Sequence, residues 1–297
     1  GVELVSKRQG VAEGPGIFAF VNLMGVHMPY HPPRRFVEQF APDVLADASS
    51  QVYLRQFNSD VYGWLAPLAG ELNDRQKQIL DGMYDAEVAH QDELLGQFFD
   101  QLRKNDRLDQ TLIIICSDHG EHLGEKQFMG HSLTVYNELV QVPLLIRDPR
   151  QIFPQNKVED TIVSTRCLFH SILNAAQLAS ESEQTLAIEN TIKQSHPQPI
   201  FSEAVPPQNV VNLLKKRQPD LIRDRACDRP RRAVWAGNHK LIMQGDDLAQ
   251  GRALELYDVL NDPQENLNLC DILPENVEVL QDCLMAFETQ QQSMAHL

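Results

Sequence analysis

The chain has 297 residues, 42% hydrophobic and 23% charged, values of a globular protein with one large domain or two ordinary ones. With 41 acidic against 26 basic side chains the formal net charge is −15, which argues against a nucleic-acid backbone or an anionic membrane surface as the main partner. A small anionic substrate is not excluded, because a few local cations or a metal ion invert the field inside one cleft.

In chain order, "GIFAFVNLM" from Gly16 is a compact apolar run rich in aromatic and β-branched residues and predicts a buried strand. It ends in "GVHMPYHPPRRF", whose prolines forbid both a helix and a central strand. The stretch from Val37 to Asn73 reads as a less regular surface excursion. A long helix comes next. Asn73 caps it, with Gln76 in capping-box spacing. Ile79, Leu80, Met83, Tyr84, Val88, Leu94, Leu95, Phe98, Phe99 and Leu102 recur at steps of three and four. "TLIIIC" and "VPLLI" predict two further short strands. Strand, long helix, strand, loop, strand is the pattern of a parallel sheet flanked by helices, in which ligands bind outside the carboxyl ends of the strands. "VHMPYHPP" and "SDHGEHLGE" both sit at such ends.

Beyond Pro149 the pattern weakens. "VEDTIVSTRCLFHSILNAAQL" predicts a helix after a lead-in, and "SESEQTLAIENTIKQSHPQP" a loop-rich insertion. "RRAVWAGNHKLIM" and "ALELYDVL" predict paired strands of a smaller antiparallel unit, with turn chemistry in "NDPQENLNL". The expected organisation is an α/β domain over 1–198 and a C-terminal subdomain over 199–297. No apolar run approaches the roughly 20 residues that span a bilayer. Cys116, Cys167, Cys227, Cys270 and Cys283 are scattered without a CxxC pair, so mostly reduced thiols are expected.

The chemistry concentrates in "SDHGEHLGEKQFMGH", Ser117 to His131. Asp118 and His119 offer a carboxylate oxygen and an imidazole nitrogen to one cation. Oxygen donors suit calcium, magnesium or manganese, and an imidazole tilts the choice toward manganese or zinc. The plain alternative is a strand-end turn in which Asp118 caps the next helix and His119 is a satisfied polar neighbour. Gly120 is expected to permit a sharp turn. His122, His131 and Lys126 are each candidates to bind an oxyanion or protonate a leaving group, or are solvated loop residues. There is no H-E-x-x-H, no G-x-S-x-G and no P-loop. His27, on its proline-stiffened turn, is held as a positioned side chain must be. His31 is expected to be structural.

Three blocks, "FAFVNLMGVHMPYHPP", "SDHGEHLGEKQFMGHSLTVYNELVQVPLLIRDP" and "LELYDVLNDPQENLNL", resemble in that order the middle and C-terminal blocks of the sulfatases, within the alkaline-phosphatase-like superfamily. The long helix resembles the one those enzymes place before the second metal motif. The resemblance runs from about Ile17 to Leu269. It implies an α/β/α sandwich with a mostly parallel central sheet plus a small C-terminal antiparallel subdomain. It implies that Asp118 and His119 complete a site for a divalent metal ion, expected to be calcium, with manganese or magnesium as alternatives. It implies that His27 contacts the sulfate group or its bridging oxygen and that His131 binds the sulfate and helps the leaving group depart. Lys126 falls where similar sequences often have histidine, and its expected role is instead to reach the anion from the rim.

The expected partner is a small sulfate ester, with no nucleic acid and no membrane, and self-association of the chain is expected. The sequence departs from the family in lacking a first-strand aspartate pair and a C/S-x-P-x-R segment. Cys227 in "ACDRPRR" has the wrong spacing and comes after the metal motif. Formylglycine is therefore expected only in a part upstream of Gly1, and the chain alone is expected to turn over no sulfate ester. Two rivals remain: a phosphodiesterase or phosphonate monoester hydrolase of the same superfamily, and a non-catalytic protein of the same fold.

Overall fold

The structure, a computed structural model, describes residues 16–60, 71–153, 156–194, 198–245 and 253–294. These divide into two units, one within Gly1–Ile115, His122–Gly130 and Leu145–Gln151, the other within Cys116–Glu121, His131–Leu144 and Ile152–Leu297.

In the first unit, α1 (Arg34–Phe40), α2 (Pro42–Ala46) and α3 (Ala48–Ser59) occupy much of the stretch expected to be irregular. That expectation is corrected. Pro42 opens α2 at a position where a missing N–H costs nothing. Asp47 caps α3 by accepting from the Ser49 and Ser50 backbones. The helices are short, so their order comes from packing: Tyr30, Val37, Ala41 and Val44 form one core with Ile79, Leu80 and Met83. The rest of the expected excursion, 61–70, lies outside the described residues.

The long helix α4 (Asp74–Lys104) starts as read. The Asn73 side chain accepts from the Gln76 N–H while the Gln76 side chain accepts from the Asn73 N–H. Its apolar stripe is buried only in part, since Val88 and Leu94 are exposed. The strands β1 (Ile113–Cys116), β2 (His122–Leu123) and β3 (Met129–Gly130) succeed it; then come α5 (Asn137–Val140) and β4 (Leu144–Arg147). β1 pairs with β4, and β2 pairs antiparallel with β3.

Among the described residues, β1 and β4 form a two-stranded sheet, and no larger sheet stands where the mostly parallel central one was expected. The strand expected over "GIFAFVNLM" is not present: residues 16–24 form no regular element, with Phe18 71% and Phe20 82% exposed. A buried strand needs ladder partners and cover on both faces, and no described strand pairs with this one.

The second unit carries α6 (Cys167–Ala175), α7 (Glu181–Gln184) and α8 (Ile188–Thr191). The last two lie where a loop-rich insertion was read; Ser180 and Glu183 cap α7 reciprocally. β5 (Ile200–Ala204), α9 (Gln208–Arg217), α10 (Pro219–Asp224), β6 (Arg231–Ala236), β7 (His239–Gln244), β8 (Ala253–Asp258) and α11 (Pro274–Met294) complete it. The four strands form an antiparallel sheet in chain order, as read for β6 to β8.

Alternation divides that sheet between two cores. Val234, Leu241, Met243 and Leu256 pack on Val277, Leu280 and Leu284 of α11. Ala233, Trp235, Ile242 and Tyr257 pack on Val135. Both faces of β6 and β7 are therefore covered, which explains their near-continuous apolar runs. Each such buried side chain contributes about 1.5–3 kcal/mol.

Candidate functional site

The proline turn of the first unit is fixed from beneath. Tyr30 is fully buried, stacked on Phe57 and edge-on to Tyr84. Asn58 accepts from the Tyr30 N–H at 3.3 Å and donates to its carbonyl at 2.9 Å. The buried Glu87 accepts from the backbone N–H of His31 at 2.7 Å, while His31 itself is exposed. Burial raises the Glu87 carboxyl above the ordinary carboxylate range. His27 stands exposed on this turn, with Nδ1 2.5 Å from the Met28 carbonyl.

The remaining candidates separate. His122 is 1% exposed on β2, paired with Gly130, its ring 5.7 Å from that of Phe128. It is an interior residue. Lys126 is half-buried in a short 3-10 turn, Glu125–Gln127, at φ 54.

In the second unit the backbone after β1 carries the other predicted residues. Asp118 is 86% exposed by side chain and accepts from the His119 N–H at 3.1 Å. His119 Nδ1 lies 2.8 Å from the Gly120 carbonyl. A carbonyl only accepts, so Nδ1 carries the proton and Nε2 keeps its lone pair. That Nε2 is 3.8 Å from Asp118 Oδ2, beyond hydrogen-bond range.

His131 stacks on His119 with ring centroids 4.1 Å apart, and its Nδ1 is 2.8 Å from Glu121 Oε1. Glu121 is 4% exposed and His131 20% exposed by side chain. The Glu121 hydrogen bond raises His131 above the ordinary imidazole value, with burial opposing it. Sequence reasoning gave Glu121 no role. The only signal was its place between two histidines, because the chain returns to it ten residues later.

Gly120 is needed for space. Its N–H donates to the Leu139 carbonyl at 2.8 Å, and a Cβ there would collide with the Glu138 carbonyl oxygen. Its φ is not among the positive ones, so close approach replaces the expected sharp turn as the reason for glycine. Gly120→Ala is expected to lower stability by about 1–3 kcal/mol, read in denaturant unfolding, because backbone must move.

The profile of the family described as Sulfatase matches residues 9–178, more than half of the chain. The chain belongs to the sulfatase family. An arylsulfatase of Clostridium perfringens is 20% identical to this sulfatase over 181 residues, 60% of this chain and 37% of that protein. A solved structure from Bacteroides fragilis, assigned as the sulfatase yidJ, superposes with TM-score 0.60 at 18% identity, over 88% of this chain and 51% of that one. The phosphonate monoester hydrolase of Agrobacterium radiobacter superposes with TM-score 0.53 at 18% identity, over 73% of this chain and 42% of that one. The fold is thus that of the sulfatases, and the chain spans about half or less of the length of these relatives.

Asp118 Oδ2 and His119 Nε2, 3.8 Å apart, are chemically suited to donate to one divalent cation. The fixed His119 tautomer offers a lone pair beside a carboxylate oxygen, a donor set compatible with manganese, zinc or calcium. Among the described residues no group of three or more His, Cys, Asp or Glu is placed to hold a metal ion. The structure shows Asp118 and His119 side by side, with the His131–Glu121 pair joined to them by the stacked imidazole rings.

Proposed function

We propose that this chain carries part of the catalytic site of a metal-dependent sulfuric ester hydrolase. One observation supports the reading above the others: the family match covers a segment where Asp118, His119, Glu121 and His131 form one contiguous cluster. Asp118 and the Nε2 of His119 would hold the cation. When bound, the cation supplies positive charge against the sulfate oxygens.

The chain's own residues account for the rest. Glu121 accepts the Nδ1 proton of His131, fixes its ring and favours the imidazolium. The Nε2–H of that imidazolium is a donor for a sulfate oxygen and a proton source for the departing alkoxide, the role of a general acid. The sulfate contact of His27 is assigned by resemblance, and Lys126 is carried over from the sequence reading as an anion-binding candidate.

In the intact natural protein, Asp118→Ala and His119→Ala are each expected to deplete bound divalent metal, measured by elemental analysis. Each is also expected to cut 4-nitrophenyl sulfate turnover on the order of 10²-fold. Unchanged metal content and turnover in both variants would overturn the reading. Phosphonate monoester hydrolysis is a second reading, favoured by the fold likeness to such an enzyme. Turnover ratios for an aryl sulfate, a phosphonate monoester and a phosphodiester decide between them.

A further inference from the structure

The segment after His131 is fastened to the C-terminal sheet by charged side chains that are themselves buried. Arg231 of β6, 5% exposed, donates to the Leu133 carbonyl at 2.5 Å and to the Arg225 carbonyl at 2.7 Å. Lys240 of β7 is fully buried; its ammonium donates to the Val135 carbonyl at 2.6 Å and to Asn137 Oδ1 at 3.0 Å. The same ammonium is 2.6 Å from Glu265 Oε1 and 4.7 Å from the centre of the Trp235 ring. Glu265, 1% exposed in the NDPQEN turn, accepts the Asn137 N–H at 2.7 Å on its other oxygen. Asn137 also donates to the Pro263 carbonyl. Over a hundred residues of chain separate the two sides of most of these bonds.

From this anchor the chain runs straight into the site. Two residues before Leu133 is His131; two after Asn137 is Leu139, whose carbonyl holds the Gly120 N–H. Leu133 and Asn137 are gripped while His131 and Leu139 do the holding at residues 118–121.

Burying an ion pair is a poor way to gain stability, since apolar residues of the same volume serve as well or better. What the pair supplies is direction. Two hydrogen bonds and an ion pair from one ammonium, with a further bond accepted by the paired carboxylate, fix the backbone of residues 135–137 to a strand register. We propose that Lys240 and Glu265 are positioning residues that set the ring of His131 against His119 and Glu121. The proposal rests on the reading of His131 as the anion-binding group, and its geometric part stands apart from any turnover.

The experiment uses the whole chain labelled with ¹⁵N/¹³C-histidine, in metal-free buffer, with the His131 ring protons assigned through His131→Gln. In the wild type those protons are displaced upfield by the stacked His119 ring. The paired variant Lys240→Met/Glu265→Met removes both charges together. The expected result is a folded protein whose His131 ring protons move toward free-histidine positions. A purely structural pair would change the unfolding midpoint and leave those positions alone. Unchanged ring positions in the folded double variant would overturn the proposal.

If the double variant does not fold, Asn137→Ala carries the test, because it removes one Lys240 acceptor and keeps the charges paired. Unmoved ring protons there count against the proposal equally. An intact natural protein that binds no divalent cation in a calcium or manganese titration, while the chain shows the His131 movement, refutes the metal-dependent reading and leaves the positioning role standing.

Discussion

Lys240→Met alone is expected to lower stability by about 3–5 kcal/mol at pH 8, read in urea unfolding, and far less at pH 5. The wild-type ammonium sits 2.6 Å from Glu265 with neither side chain exposed. Burial pushes Lys240 down to about 8, with Glu265 opposing that shift. The lysine's folded value thus lies below its unfolded one. In the wild type, the unfolded chain holds more protons than the folded one from about pH 8 to the ordinary lysine range, so stability rises with pH across that window.

Without the ammonium the sign reverses. The buried Glu265 carboxylate beside Asn137 then has no cation and must take a proton to stay buried. In the variant the folded state therefore binds more protons than the unfolded state once pH exceeds the ordinary carboxylate range, and stability falls with rising pH. A loss that is independent of pH would remove the uncompensated carboxylate as the cause. Lys240→Met/Glu265→Met should recover most of the deficit, since it leaves no charge behind.

The parts of the fold legible in the sequence are those whose signal is local. The α4 cap is written in Asn73 and Gln76, and the antiparallel strands in two apolar runs joined by Gly-Asn. Where order depends on distant partners, local reading failed in both directions. "GIFAFVNLM" has the composition of a buried strand and lies exposed, because strand character is satisfied only by a neighbouring strand. Residues 34–59 lack a long period and yet form three helices, because Tyr30 and the Ile79–Met83 turn supply their cover.

The site shows the same division. Asp118 and His119 stood out by residue type and spacing and His131 by resemblance, and the structure stacks the two histidine rings. Glu121 was missed because a glutamate in a polar loop is ordinarily solvated, and only the returning chain brings His131 to it. His122, as conspicuous in the sequence as its neighbours, is interior because β2 and β3 enclose it with Phe128. Lys240 left one trace, a charged residue inside the apolar run of "NHKLIM". Its partner Glu265 lies in a turn where a charge attracts no notice.

His131→Ala in the intact natural protein is expected to lower turnover of an alkyl sulfate by about 10²–10⁴-fold, the usual contribution of a positioned general acid. An aryl sulfate, whose phenolate departs with less need of a proton, should lose less. Equal losses would assign His131 to sulfate binding without proton transfer. Glu121→Gln separates the charge of the pair from its hydrogen bond. The amide oxygen still accepts from Nδ1, but the carboxylate that raises His131 is gone.

Because the folded value is raised, the pair's contribution to stability is complete below the unfolded histidine's pKa and is lost as pH rises through the folded one. The stability gap between wild type and Glu121→Gln should therefore be widest in mild acid and close toward alkaline pH. In metal-free buffer, the His131 titration followed by NMR should move to lower pH in the variant. Its imidazolium then persists over a narrower range, and the alkaline limb of turnover should retreat with it. A titration that stays in place would show that Glu121 orients the ring without charging it.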